Sequence, residues 1–132
     1  MKGYSDIREE CCGATKSLPT SGLVNPTSGN VSVCHRRVGV LTIKASGVNC
    51  SVLTPHDAVI VDLEGKVVEG TLNSSSDTPV RRRLFLAFSD IRSVVHIHSR
   101  KTVAFAQAVI EISLLGTTFT KFCPQAENFR GA

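Results

Sequence analysis

Tryptophan is absent, tyrosine occurs once, and the six phenylalanines sit mostly among apolar neighbours. Without a row of aromatic rings there is no evident platform on which unpaired bases could stack. Fifteen Lys and Arg outweigh eleven Asp and Glu to give a formal charge of +4. These charges are scattered, as in Arg36-Arg37, Arg81-Arg82-Arg83 and Arg100-Lys101, and form no long basic tract. A small anionic ligand suits that distribution as well as a nucleic acid does, and the missing aromatics weigh against the nucleic acid. Long apolar runs are also lacking. The most apolar late stretch, Val103 to Leu115, is broken by Gln107 and Glu111 and is shorter than the roughly 20 residues of a membrane span. Asp6, Arg8, Glu9 and Glu10 interrupt any apolar core that a secretion signal would need. The five cysteines, at positions 11, 12, 34, 50 and 123, are odd in number and include no Cys-x-x-Cys pair, which points to a reducing compartment. A soluble, cytoplasmic protein that binds neither membrane nor nucleic acid is the expectation. With 132 residues and 42% apolar composition, one domain over 1–132 can be built, and two independent cores cannot.

Strands and helices alternate, with no internal repeat. Tyr4, Ile7, Cys11, Ala14 and Leu18 recur at helical spacing, and Pro19 and Gly22 close that pattern. After the turn formers Asn25-Pro26-Thr27-Ser28-Gly29-Asn30, the runs Val31-Ser32-Val33 and Val38 to Ile43 predict two strands. Lys44-Ala45-Ser46-Gly47 predicts a turn, Leu53 to Asp57 a capped bend, Ala58 to Leu63 a strand, and Gly65 a break before Val67-Val68-Glu69. Thr78-Pro79 reads as a helix start, the threonine capping free amides and the proline presetting the first turn. Val80, Leu84, Ala87 and Phe88 would then form its apolar face. Ser99 is placed to cap a further helix over 102–108. Short strands joined by tight turns predict an α/β domain whose sheet is not all parallel.

His96 and His98 stand in Ser93-Val94-Val95-His96-Ile97-His98-Ser99. Val94, Val95 and Ile97 favour extended backbone, and residues two apart in a strand share a face, so both imidazoles can point one way and chelate a divalent ion. The competing reading is one core histidine and one surface histidine. Asp77 and the preceding serine run favour the metal.

Several blocks resemble one family. Leu23-Val24 with Ser28-Gly29-Asn30-Val31-Ser32, Ile43-Lys44-Ala45-Ser46-Gly47-Val48, Val61-Asp62-Leu63 with Val67-Val68-Glu69-Gly70, Ser75-Ser76-Asp77-Thr78-Pro79 and His96-Ile97-His98-Ser99-Arg100 run in order as far as Gly116-Thr117-Thr118. Together they are similar to the L-ribulose-5-phosphate 4-epimerase branch of the class II aldolase/adducin-head family. The resemblance implies a three-layer α/β/α domain with a central, largely antiparallel sheet, assembled as a homotetramer. It implies retro-aldol cleavage and re-addition on a phosphorylated sugar such as L-ribulose 5-phosphate, with a zinc ion stabilising the enediolate. Carried over residue by residue, Asp77, His96 and His98 match the metal site, and Gly29, Asn30, Ser46, Gly47, Ser75 and Ser76 match the phosphate pocket. Lys44 lies beside that pocket, as a charge for phosphate or enediolate or as an exposed strand-end lysine. Asp77 has a competing reading as a helix N-cap. Where aldolases of the family carry glutamate, aspartate leans toward the epimerase branch.

The match also has gaps. The family's third metal-binding histidine would lie in a C-terminal part that this sequence lacks, and neither His35 nor His56 stands in its place. Phe119 and Lys121 occupy the positions of a histidine and of an acid/base aspartate, and the family's far C-terminal tyrosine has no counterpart. A metal-dependent epimerase or aldolase, a pseudoenzyme that binds phosphosugar or metal without turnover, and a protein-interaction domain all stay open on the sequence.

Overall fold

A computed structural model describes residues 4–22, 24 and 28–110. The turn expected at Asn25-Pro26-Thr27 and the readings of Leu23, Glu111, Gly116-Thr117-Thr118, Phe119, Lys121 and Cys123 fall outside the described residues. The chain divides into two compact units, Met1–His98 and Ser99–Ala132.

The first unit is built on five strands: β1 (Asn30–His35), β2 (Val40–Lys44), β3 (Ala58–Asp62), β4 (Val67–Glu69) and β5 (Ser93–His96). Their spatial order is β4-β3-β2-β1-β5, and every pairing is antiparallel. Tight turns make this possible. Residues 36–39 close the β1–β2 hairpin, with the Val38 amide donating to the His35 carbonyl at 3.0 Å. At the β3–β4 turn, Asp62 Oδ1 accepts from the Gly65 and Lys66 amides, at 2.8 Å each. A capped bend at 54–57 has the Thr54 amide and hydroxyl both donating to Asp57 Oδ2 at 2.7 Å, as the sequence predicts.

Alternation along the strands separates two cores. Val31 and Val33 pack with Cys11 and Leu18, so α1 (Ser5–Lys16) and the turn after it cover one face. Cys34, Leu41, Ile43, Val59 and Val61 enclose Phe85 of α2 (Thr78–Ala87), which covers the other. The result is the expected three layers.

The predicted α1 stripe holds in part, with Cys11 and Leu18 buried and Ala14 packed against them, but polar residues join it, and α2 buries a different stripe from the one predicted. In α1 the buried residues are Arg8, Cys11, Cys12 and Thr15. Arg8 is held by Glu69 at 2.9 Å and by the Pro55 carbonyl at 3.2 Å. In α2 they are Thr78, Arg81 and Phe85, whereas Val80 and Phe88 are half exposed. Thr78 does not cap its helix: Asp77 takes the N-cap position, and the Thr78 hydroxyl donates to the Ser75 carbonyl at 2.6 Å.

Arg36 closes the far end of α2, its Nη2 lying 3.1, 2.7 and 2.9 Å from the carbonyl oxygens of Phe85, Phe88 and Ile91. The first two are terminal carbonyls of α2 without helical partners, and the third belongs to the connection that follows. Replacing Arg36 with methionine keeps the stem and removes the donors, so urea unfolding should show a loss of about 1 kcal/mol.

In the second unit, α3 (Arg100–Gln107) follows Ser99, which takes the N-cap position without a side-chain cap bond. No helix among the described residues is long and apolar enough to cross a membrane.

Candidate functional site

The end of the sheet where β1 starts and β5 finishes carries a pocket of about 240 Å³. Three pairs of small residues line it, Ser28-Gly29, Ser46-Gly47 and Ser75-Ser76, each from a different connection. Asn30 and Lys44 come from strand ends, and Asp77, His96 and His98 complete the lining. All ten residues singled out in the sequence therefore meet at one cleft. Ser28 joins them, and nothing but its place beside Gly29 marked it.

Gly29 is there because no other residue fits. Its φ of +83° is the left-handed region, and a Cβ would fall 2.5 Å from Val24 Cγ1 and 2.9 Å from the His96 carbonyl oxygen. Lys44 is buried, not an exposed strand-end residue. Its ammonium donates to the carbonyls of Val48 at 2.8 Å and Ala45 at 3.2 Å. The lysine thereby holds the turn that carries Ser46 and Gly47 and keeps a positive charge at the pocket wall. Ser75 organises the next turn, its Oγ accepting from the Asp77 amide at 3.3 Å.

Asp77 leaves its helix end uncapped and turns its carboxylate to the sheet. Oδ2 accepts from Asn30 Nδ2 at 2.8 Å and His96 Nδ1 at 2.6 Å, and Arg81 Nη2 approaches it at 3.4 Å. Asn30 and His96 are brought together because they are direct partners in the β1–β5 ladder. Burial raises the Asp77 pKa, but the hydrogen bonds from Asn30 and His96, with the charge of Arg81, outweigh it and leave the group below its ordinary value.

Two assignments follow from that carboxylate. A carbonyl oxygen would be repelled there, so Asn30 must present its NH₂, which leaves Asn30 Oδ1 buried without a hydrogen-bond partner. His96 must carry a proton on Nδ1, which makes Nε2 the ring nitrogen that faces away from the carboxylate. The His98 ring lies beside it, with centroids 4.7 Å apart and planes tilted by 40°.

Among the described residues, no group of three or more His, Cys, Asp and Glu is assembled to hold a metal ion. The hydrogen bond from His96 Nδ1 to Asp77 Oδ2 engages one atom of each, and His98 is exposed. His56 is exposed in the 54–57 bend. His35 lies on the opposite face of β1 from Asn30, with Nε2 3.9 Å from Glu10 of α1. Neither joins the site. Cys11, Cys12, Cys34 and Cys50 are free and buried, and burial pushes the Cys11 thiol up to about 12, so that thiol is no nucleophile at neutral pH. Arg81 is the residue that the sequence reading missed. Its signal was the i,i+4 spacing from Asp77 across a helix start.

Comparison with known proteins gives a consistent picture. The family described as Class II Aldolase and Adducin N-terminal domain matches residues 9–130. L-ribulose-5-phosphate 4-epimerase UlaF of Salmonella paratyphi B is 40% identical over 116 residues, covering 88% of this chain and 51% of the relative. The UlaF protein of Salmonella typhi gives the same figures. Among solved structures, an L-fuculose 1-phosphate aldolase superposes with a TM-score of 0.74 at 29% identity, over 79% of this chain and 49% of the other. The L-fuculose-1-phosphate aldolase of Thermus thermophilus superposes with a TM-score of 0.73 at 29% identity, over 89% and 59%. The chain spans about half the length of the curated relatives it matches.

Proposed function

The chain belongs to the class II aldolase and adducin family, and from that premise we propose that its pocket binds a phosphorylated sugar beside a divalent metal, as part of an L-ribulose-5-phosphate 4-epimerase. The observation that carries this reading is the meeting of three Ser/Gly connections with Asp77, His96 and His98 in one cleft. The serine hydroxyls and the backbone amides beside the glycines are donors for phosphate oxygens. Lys44 adds a buried positive charge at the wall. An epimerase is favoured over an aldolase by the aspartate at position 77 and by 40% identity to curated epimerases against 29% to the fuculose aldolases.

The donor chemistry fits a divalent ion in part. His96 would hold it through Nε2, oriented by Asp77, with His98 as the second imidazole. When bound, such an ion supplies Lewis-acid stabilisation of oxyanion charge. Zinc is the family's metal, although mixed nitrogen and oxygen donors also suit manganese or cobalt. Asp77 keeps the His96 tautomer and aims the ring, and Asn30 keeps Asp77 in place. With no third donor assembled among the described residues, a second reading has support: this polypeptide alone binds the sugar phosphate and turns it over only when further residues complete the site, in the homotetramer implied by the resemblance or in a longer chain.

Calorimetric titration with L-ribulose 5-phosphate tests the pocket. Binding should occur in the wild type and weaken about tenfold in Ser75→Ala and again in Ser76→Ala, as expected for hydrogen bonds to a charged group. Heat indifferent to both changes would remove the phosphate assignment. An epimerase assay with zinc then separates the two readings.

A further inference from the structure

Asp77 Oδ2 is shared between a histidine that the proposed metal needs and an arginine that it does not. Helix geometry puts the arginine there: four residues after Asp77, the Arg81 side chain returns over the first turn of α2. Nη2 lies 3.4 Å from Oδ2, the side chain is 8% exposed, and Nε is buried without a partner. Its sequence neighbours are engaged elsewhere or face water. Arg82 donates to the Leu63 carbonyl at 2.7 and 3.0 Å, and Arg83 is exposed. A guanidinium does not lose its proton in proteins. Buried this far, its field is screened little by water or salt. Arg81 is thus a permanent positive charge built against the donors of the candidate metal site.

We infer that Arg81 is a positioning residue that holds Asp77 by an ion pair in the resting pocket and, as a fixed positive charge beside the candidate metal site, opposes the entry of a divalent cation, so that the site takes its metal weakly and more readily once an anion is bound. The inference rests on the metal reading above. It follows from charge: a dication must enter beside a fixed monocation, and an anion in the Ser/Gly cradle offsets the surplus positive charge of both.

Cobalt(II) titration of the purified protein, followed by its visible absorption bands, tests this. Wild-type protein should bind weakly, and sulfate, used as an inert tetrahedral anion, should tighten binding several-fold. Arg81→Gln should bind cobalt about tenfold or more tightly without sulfate, the scale of removing one charge beside a partly buried site, and should lose most of the sulfate effect. Arg81→Lys, which keeps the charge, should behave as the wild type. His96→Ala should abolish the bands in every background.

Unchanged or weaker binding by folded Arg81→Gln, with the His96 dependence intact, would overturn the role of Arg81 and leave the metal site standing. Absence of any His96-dependent cobalt band would instead remove the metal site itself. Should Arg81→Gln fail to fold, the wild-type measurement decides: cobalt binding that sulfate leaves unchanged or weakens rejects the inference, and tightening supports it.

Discussion

Asp77→Ala will destabilise the fold by about 2–3 kcal/mol at pH 7 and weaken divalent-metal binding by about 10–100-fold. Stability falls because the substitution strands other groups. Arg81, with a side chain 8% exposed, loses its counter-ion, and the Asn30 amide loses its acceptor. Removing one partner of a fully buried pair costs about 3–5 kcal/mol, and the 28% exposure of Asp77 lowers that figure because water reaches part of the site. Metal affinity falls because His96 Nδ1 no longer has the 2.6 Å contact that fixes its tautomer and ring plane.

The stability loss should depend on pH in a defined direction. The Asp77 pKa is lower folded than unfolded, where a carboxyl titrates near about 3.9. Its contribution is therefore complete above that unfolded value and is lost as pH falls through the folded one. Urea unfolding at pH 7 and at pH 3 should show the gap between wild type and Asp77→Ala closing at the acid end. A gap of equal size at both values would mean that the ionised carboxylate contributes nothing.

Most residues of the candidate site were picked out by the family resemblance, which is carried in short contiguous blocks. Ser28-Gly29-Asn30, Ser46-Gly47, Ser75-Ser76-Asp77 and His96-Ile97-His98 each sit at the end of an element whose type the apolar pattern gave correctly. What the pattern could not give was which charged residues turn inward on each helix, and with them which stripe of α2 faces the sheet. Arg8 and Arg81 lie outside the apolar stripes assigned to their helices, yet both are buried, because their partners, Glu69 for one and Asp77 for the other, arrive through tertiary folding or across a helix start. A hydropathy pattern assigns a charge to the outside unless its partner is known. Once Arg81 is turned inward, Phe85 follows it one turn on, and Val80 and Phe88 rotate outward. For the same reason Asp77 appeared as a possible cap: its position before Thr78-Pro79 is that of a cap, but its side chain bonds to β1 and β5 residues that sequence spacing does not bring near.

Gly29→Ala will be the most costly glycine substitution in the pocket, and comparison with Gly47→Ala isolates the reason. Both glycines have left-handed backbone, with φ of +83° and +73°. Both substitutions therefore incur the strain of placing a Cβ there, about 1–2 kcal/mol. Around Gly47 nothing lies within 4 Å of the added carbon, so strain is the whole cost. At Gly29 the methyl meets Val24 Cγ1 at 2.5 Å and the His96 carbonyl at 2.9 Å. The valine can rotate away, but the carbonyl belongs to the strand that carries the histidine. Overpacking of this kind adds about 1–3 kcal/mol, so thermal or urea unfolding should place Gly29→Ala about 2–5 kcal/mol below the wild type and Gly47→Ala about 1–2. The same displacement moves His96 relative to Asp77, so Gly29→Ala should also lose His96-dependent cobalt binding, which Gly47→Ala should keep. Equal losses of stability at the two positions would show that backbone conformation alone selects the glycine, and that close packing of β5 against the Ser28-Gly29 turn does not hold the histidine in place.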